Sequence, residues 1–214
     1  MSPPGVFGKL PARGDFVAYR LPASFTDPWH GWLVRGLADA RLSLGDRLTE
    51  LWRVAPAWRF VLAPGLAGPN AATGVLVPSV DAVGRTFPLC IVHLAAEPID
   101  PLALFAEPDR LDRLEAAARR ALAPSLDLAA WLRDLDGIGS DPLPLLAAPA
   151  LPMRFPAGAG LAAAVATTFR ARGAHGVAIF WGEGSPFVSP GGFLFHGLPE
   201  GADFRRLLCD GEAR

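Results

Sequence analysis

Between Trp58 and Leu94 the chain carries three short apolar runs, and this stretch restricts its fold more than any other. The runs are Trp58-Arg59-Phe60-Val61-Leu62, Gly74-Val75-Leu76-Val77, and Phe87-Pro88-Leu89-Cys90-Ile91-Val92-His93-Leu94, each bounded by Gly, Pro, Asn or Asp. Runs of this length between turn signals read as three adjacent, antiparallel strands. A hairpin-rich middle of this kind excludes a simple doubly wound fold.

Around that middle the spacing changes. Trp29, Leu33, Leu37 and Ala40 fall at steps of four, four and three, and Trp32 widens the same face. This is helical spacing. The helix is expected to start at a Thr26 or Asp27 cap, to hold Pro28 in its first turn, and to run to about Leu51. Before it, residues 6–10 read as a strand ended by Pro11 and a turn through 12–15, followed by a second apolar patch at 16–19. After it, Leu111, Leu114, Ala118 and Leu122 mark an amphipathic helix, and residues 128–135 a shorter one with Trp131 and Leu132. Residues 137–156 read as a Pro-, Gly- and Ala-rich loop, and 158–172 as an alanine-rich helix ended by Gly173. Residues 177–181 and 187–195 close the chain as two strands, the second kinked at Pro190-Gly191-Gly192. The element order predicts an α/β three-layer sandwich, with a mixed, largely antiparallel sheet flanked by helices. We read residues 1–214 as one domain, with a motif-bearing half at 5–95 and a less specific half at 97–210.

Bulk properties bear on function mainly by exclusion. The formal net charge is −1, so no overall field draws the chain to nucleic acid or an anionic membrane. Cys90 and Cys209 form no CxxC pair and have no histidines at zinc spacing, which fits a reducing compartment. The N-terminal residues lack the basic-then-apolar pattern of a secretory signal. Apolar stretches stop well short of the ~20 residues a membrane helix needs. A soluble, cytoplasmic protein without membrane insertion is expected.

Enzyme motifs fare poorly. Gly182-Glu183-Gly184-Ser185-Pro186 has its glycines in the wrong frame for a nucleophile elbow. Gly158-Ala159-Gly160 lacks the preceding strand of a dinucleotide fingerprint. P-loop, EF-hand and HExxH patterns are absent. The expectation is a non-enzyme with no cofactor, no metal and no small-molecule substrate.

Two segments place ionisable residues at turns beside apolar strands: Gly8-Lys9-Leu10-Pro11-Ala12-Arg13-Gly14-Asp15-Phe16-Val17, and residues 78–89, Pro-Ser-Val-Asp-Ala-Val-Gly-Arg-Thr-Phe-Pro-Leu. In the first, Lys9, Arg13 and Asp15 could meet across the turn. In the second, Ser79 and Asp81 suit side-chain-to-backbone turn bonds, and Gly84 lets the chain reverse before Arg85. Turn residues have this composition by default, so a purely structural role is the competing reading. Lys9, Arg13, Asp15, Ser79, Asp81 and Arg85 are the candidates for a polar cluster near a partner-facing edge. Trp29 and Trp32 are the candidate aromatic anchors, expected to be partly exposed.

These motifs carry a family resemblance. The first segment resembles the G-K-L-P-x-x-G-D-F-V strand and turn of the TagF (ImpM) family associated with type VI secretion. Asp27-Pro28-Trp29 with Trp32-Leu33 is similar to its D-P-W-x-x-W-L helix, and Pro56 with Trp58-Arg59-Phe60 to its P-x-W-R-F segment. Residues 74–89 resemble its G-V-L-x-P-S-V-D-x-V-G-R-x-F-P-L stretch. The match runs in order over residues 5–92 and is only general beyond about Glu97. The resemblance implies a cytoplasmic accessory protein that represses secretion post-translationally by binding a forkhead-associated scaffold protein of the same system. It supplies no catalytic residues. The alternatives are a structural subunit of the apparatus or a small hydrolase or nucleotide-binding enzyme.

Overall fold

A computed structural model describes residues 3–100, 104, 108–138, 143 and 176–210. Seven strands form one sheet: β1 (Gly5–Gly8), β2 (Val17–Tyr19), β3 (Trp58–Leu62), β4 (Ala71–Val77), β5 (Leu89–Ala95), β6 (Val177–Gly182) and β7 (Gly191–His196). Their order is β2-β1-β5-β4-β3-β6-β7. The expected mixed sheet is corrected on one point, because every described pairing is antiparallel. β1 pairs antiparallel with β5, at the far side of the β3–β4–β5 meander, so the chain crosses over from β2 to begin β3 on the meander's other side.

The central strand explains its own sequence. All seven residues of β4, Ala-Ala-Thr-Gly-Val-Leu-Val, are buried. Both faces are covered, so the run shows no apolar–polar alternation, and its one polar side chain, Thr73, donates to Phe60 O at 2.8 Å. Alternate residues still divide between two cores. Phe60, Leu62, Leu76 and Cys90 join the core under α1 (Ala23–Leu44), α2 (Arg47–Val54) and the short α5 (Ala202–Arg205). Val61, Val75, Leu89 and Ile91 join the core under α3 (Asp109–Ala121) and α4 (Leu128–Asp136). Helices therefore lie on both faces, giving three layers.

Several boundaries differ from expectation. The first helix starts at Ala23, with Pro28 inside it, instead of at a Thr26 or Asp27 cap. It ends at Leu44, because Gly45 turns to φ 56°, and a separate α2 follows. The patch at 16–19 supplies a true strand, β2. The α5 turn was unforeseen, since four residues are too few to show a period. The expected helix at 158–172 lies outside the described residues, as does nearly all of the 137–156 loop. Among the described residues no helix is long and apolar enough to cross a membrane.

Candidate interaction site

The two motif turns meet at one end of the sheet. β1 ends at Gly8, whose φ is 136°, and a side chain there would run into the Pro88 carbonyl just before β5. Only glycine allows this approach in that conformation. The chain then carries Lys9 inward, where its N–H donates to Pro88 O at 3.3 Å. The second turn is stitched to the first by backbone and side-chain bonds. Ala82 N donates to Arg13 O at 2.8 Å, and Ser79 Oγ to Lys9 O at 2.8 Å. From α2, the Trp52 indole donates to Ser79 O at 2.9 Å.

Asp81 is the hub. Its Oδ1 accepts from the N–H groups of Val83 at 3.1 Å and Arg85 at 2.8 Å. Its Oδ2 accepts from Lys9 Nζ at 2.9 Å and Arg85 Nε at 2.6 Å. Arg85 Nη2 continues to Gly14 O at 2.6 Å, tying the second turn back to the first. Burial pushes the Asp81 pKa up. The Lys9 ammonium, the Arg85 N–H and guanidinium, and the Val83 N–H outweigh it and hold the carboxyl well below the usual carboxylate range. Gly84 supplies the reversal with φ 83°. Lys9 also lies over the Phe16 ring, 5.2 Å from its centroid. Both carboxylate oxygens of Asp81 are committed, so the chemistry available here is that of a lock.

Four of the six candidate residues, Lys9, Ser79, Asp81 and Arg85, thus come together. Arg13 joins only through its carbonyl, and its side chain is exposed. Asp15 does not cross the turn to Lys9. It stands exposed at the apex, while the Lys9 ammonium is buried against Asp81. Arg13 and Asp15 border an open groove of about 500 Å³, with Phe16, Tyr19 and the α4 residues Leu128 and Leu132.

The aromatic anchors require correction. Trp29 and Trp32 are 0% and 1% exposed. Trp29 packs on Phe25, Trp32 and Phe60 at centroid distances of 5.6, 4.5 and 5.2 Å. Trp32 donates its indole N–H to Pro199 O at 2.7 Å. The helix face they mark is the one laid on the sheet, so its largest residues are core. His30, on the same helix, is half-buried edge-on to Phe16 at 5.3 Å.

The exposed apolar side chains at these turns are Phe16, 42% exposed, and Val83, 71% exposed. Sequence reading passed over both. Their signal was present, since each is a large apolar residue set among turn residues in a motif. Arg59 also has a task that spacing does not show. From β3 it donates to Glu115 Oε2 on α3 at 3.0 and 3.1 Å and pairs with Asp112 at 2.7 Å, clasping a helix to the sheet.

Sheet and turns together define a class: an antiparallel α/β sandwich whose best-marked motifs converge on one rigid surface feature. Residues 5–138, which contain both turns, match the model of the TagF N-terminal domain, type VI secretion system-associated, and the chain belongs to that family. Among solved structures it is similar to the crystal structure of PA0076 from Pseudomonas aeruginosa PAO1. The two share 32% identity and a TM-score of 0.82 over 97% of this chain and 94% of that one. No curated protein matches the chain.

Proposed function

We propose that this chain is a cytoplasmic, post-translational repressor of type VI secretion that works by binding a forkhead-associated scaffold protein of the same system. It acts through a surface, without catalysis, cofactor or small-molecule substrate. Membership in a family associated with type VI secretion supports the setting. The observation that carries the binding mode is the double turn. A buried ion lock fixes two loops, and these loops present Phe16, Val83, Arg13 and Asp15 outward. Loops already fixed lose little conformational freedom on association. An apolar centre with arginine nearby is the usual composition of an interface core.

The test is a pull-down of the scaffold from the same organism with wild type and with a Phe16→Ala/Val83→Ala variant shown to be folded. Wild type is expected to retain the scaffold and the variant to lose it, with secretion rising in cells that carry the variant. Failure of wild type to bind the scaffold overturns the partner. Undiminished binding by the folded variant overturns the surface.

A further inference from the structure

Among the described residues β2 and β7 are the two outermost strands of the sheet, and they differ as edges. β2 is three residues long and is flanked by Arg13, Asp15 and Arg20, with Arg20 paired to Asp136 on α4. Short length and charge are the standard ways to keep an edge from pairing with another chain. β7 has neither. Its six residues, Gly191-Gly192-Phe193-Leu194-Phe195-His196, contain no lysine, acid or proline. They pair with β6 in continuous register from Gly182↔Gly191 to Val177↔His196. Among the described residues none pairs with the outer side of β7.

A row of aromatic rings also runs out to this edge. Trp58 on β3 lies 5.7 Å from Phe193, and Phe193 stacks on Phe195 at 5.7 Å and 27°. Both phenylalanines are only half-buried. We infer that β7 is a self-association edge, on which a second copy of this chain pairs its own β7 antiparallel about a two-fold axis and continues the sheet.

The axis position follows from the pleat. Directly opposed residues of an antiparallel pair point to the same face, so a two-fold must pass through a residue facing its own copy. An axis at Leu194 opposes Phe193 to Phe195 of the second copy, twice, and extends the aromatic row across the junction. Such cross-strand aromatic pairs are the favourable unit of sheet pairing. It also sets His196 against Gly192, which leaves room for the larger ring. An axis at Phe193 would instead oppose each Phe195 to a glycine.

The full chain is tested by sedimentation velocity over a range of concentrations, alongside Leu194→Lys and Leu194→Cys. The wild type is expected to sediment as a dimer that dissociates on dilution. In Leu194→Lys, like charges face each other at the axis, and a monomer is expected with an unchanged circular dichroism spectrum. In Leu194→Cys, oxidation is expected to trap a disulfide dimer, because opposed β-carbons lie within about 4.5–5.5 Å. An Ala18→Cys control on the opposite edge should not be trapped, and native Cys90 and Cys209 are buried. A wild type that is monomeric up to its solubility limit overturns the inference. So does a dimer that survives in folded Leu194→Lys. Should that variant not fold, absence of cross-linking in Leu194→Cys decides against the pairing.

Discussion

Lys9 and Asp81, 72 residues apart in sequence, bring Nζ and Oδ2 within 2.9 Å of each other beneath the surface of the paired turns. Breaking a buried pair leaves one charge out of water without its counterpart, which is worse than having neither. Asp81→Ala also strips the acceptor from the Val83 and Arg85 N–H groups, so it is expected to be the most damaging change at the lock. Lys9→Met is expected to cost less, because Asp81 keeps Arg85. The Lys9→Met/Asp81→Ala double variant should be less destabilised than the sum of the two. Urea midpoints of the four proteins measure this, and strict additivity would deny the coupling.

The same carboxyl makes the lock sensitive to acid. Asp81 has a folded pKa below its ordinary value of 3.8, so the folded protein binds this proton less readily than the unfolded chain. Its stabilisation is complete above that ordinary value and is lost as pH falls through the folded one. Wild-type stability is therefore expected to drop more steeply below about pH 4 than that of Asp81→Asn, with the two curves parallel near neutrality. Urea denaturation at a series of pH values compares the slopes. Parallel curves throughout would show that Asp81 is not depressed.

Much of the fold was legible because each strand of the middle is bounded by turn residues and each helix face repeats its period. Phe60, Val61 and Leu62 show the limit of that reading. They look alike in sequence, yet Phe60 and Leu62 belong to one core and Val61 to the other. A run buried on both faces carries no alternation to announce which side is which. The β1–β5 pairing was illegible for another reason, since nothing local in Val6 or Phe7 points to Ile91 or Cys90. At the site, charge and turn chemistry identified Lys9, Ser79, Asp81 and Arg85. They could not say that Asp15 would be left at the apex, because that depends on Asp81 reaching Lys9 from another motif. Trp29 and Trp32 misled because a large aromatic is as valuable in a core as at an interface.

Trp29 offers a direct measure of that core role. It is fully buried among Phe25, Trp32 and Phe60. Trp29→Ala removes the ring and leaves a cavity that packed neighbours fill only in part, for an expected loss of about 3–5 kcal/mol. Chemical denaturation should show this as a lower midpoint. A change under about 1 kcal/mol would mean that the site collapses freely.

Cys90 should be silent toward thiol reagents. It is fully buried on β5 with Sγ donating to Phe7 O at 3.2 Å, and burial pushes its pKa up to about 12. The thiolate is the reactive form and is scarce at neutral pH. Iodoacetamide is expected to leave Cys90 unmodified in the native protein and to label it fully in denaturant, as read by peptide mass spectrometry. Rapid native labelling would show that β5 opens far more often than its burial implies.

Gly8 is the position where the turn lock is most exposed to a small change. Its φ of 136° is costly for any residue with a side chain, and an added methyl would meet the Pro88 carbonyl, which is backbone and cannot swing aside. Gly8→Ala therefore forces β1 and the start of β5 apart where Lys9 N also bonds Pro88 O. The expected loss is more than about 1 kcal/mol, since an incompatible glycine replacement costs more than the entropy it saves. Lys9 follows directly, so the shift should also loosen its pairing with Asp81. That effect separates Gly8→Ala from an ordinary strand defect: the acid-induced loss of stability should become shallower, toward the slope of Asp81→Asn. A Gly8→Ala protein that keeps the wild-type slope would show that the ion pair tolerates displacement of the strand end.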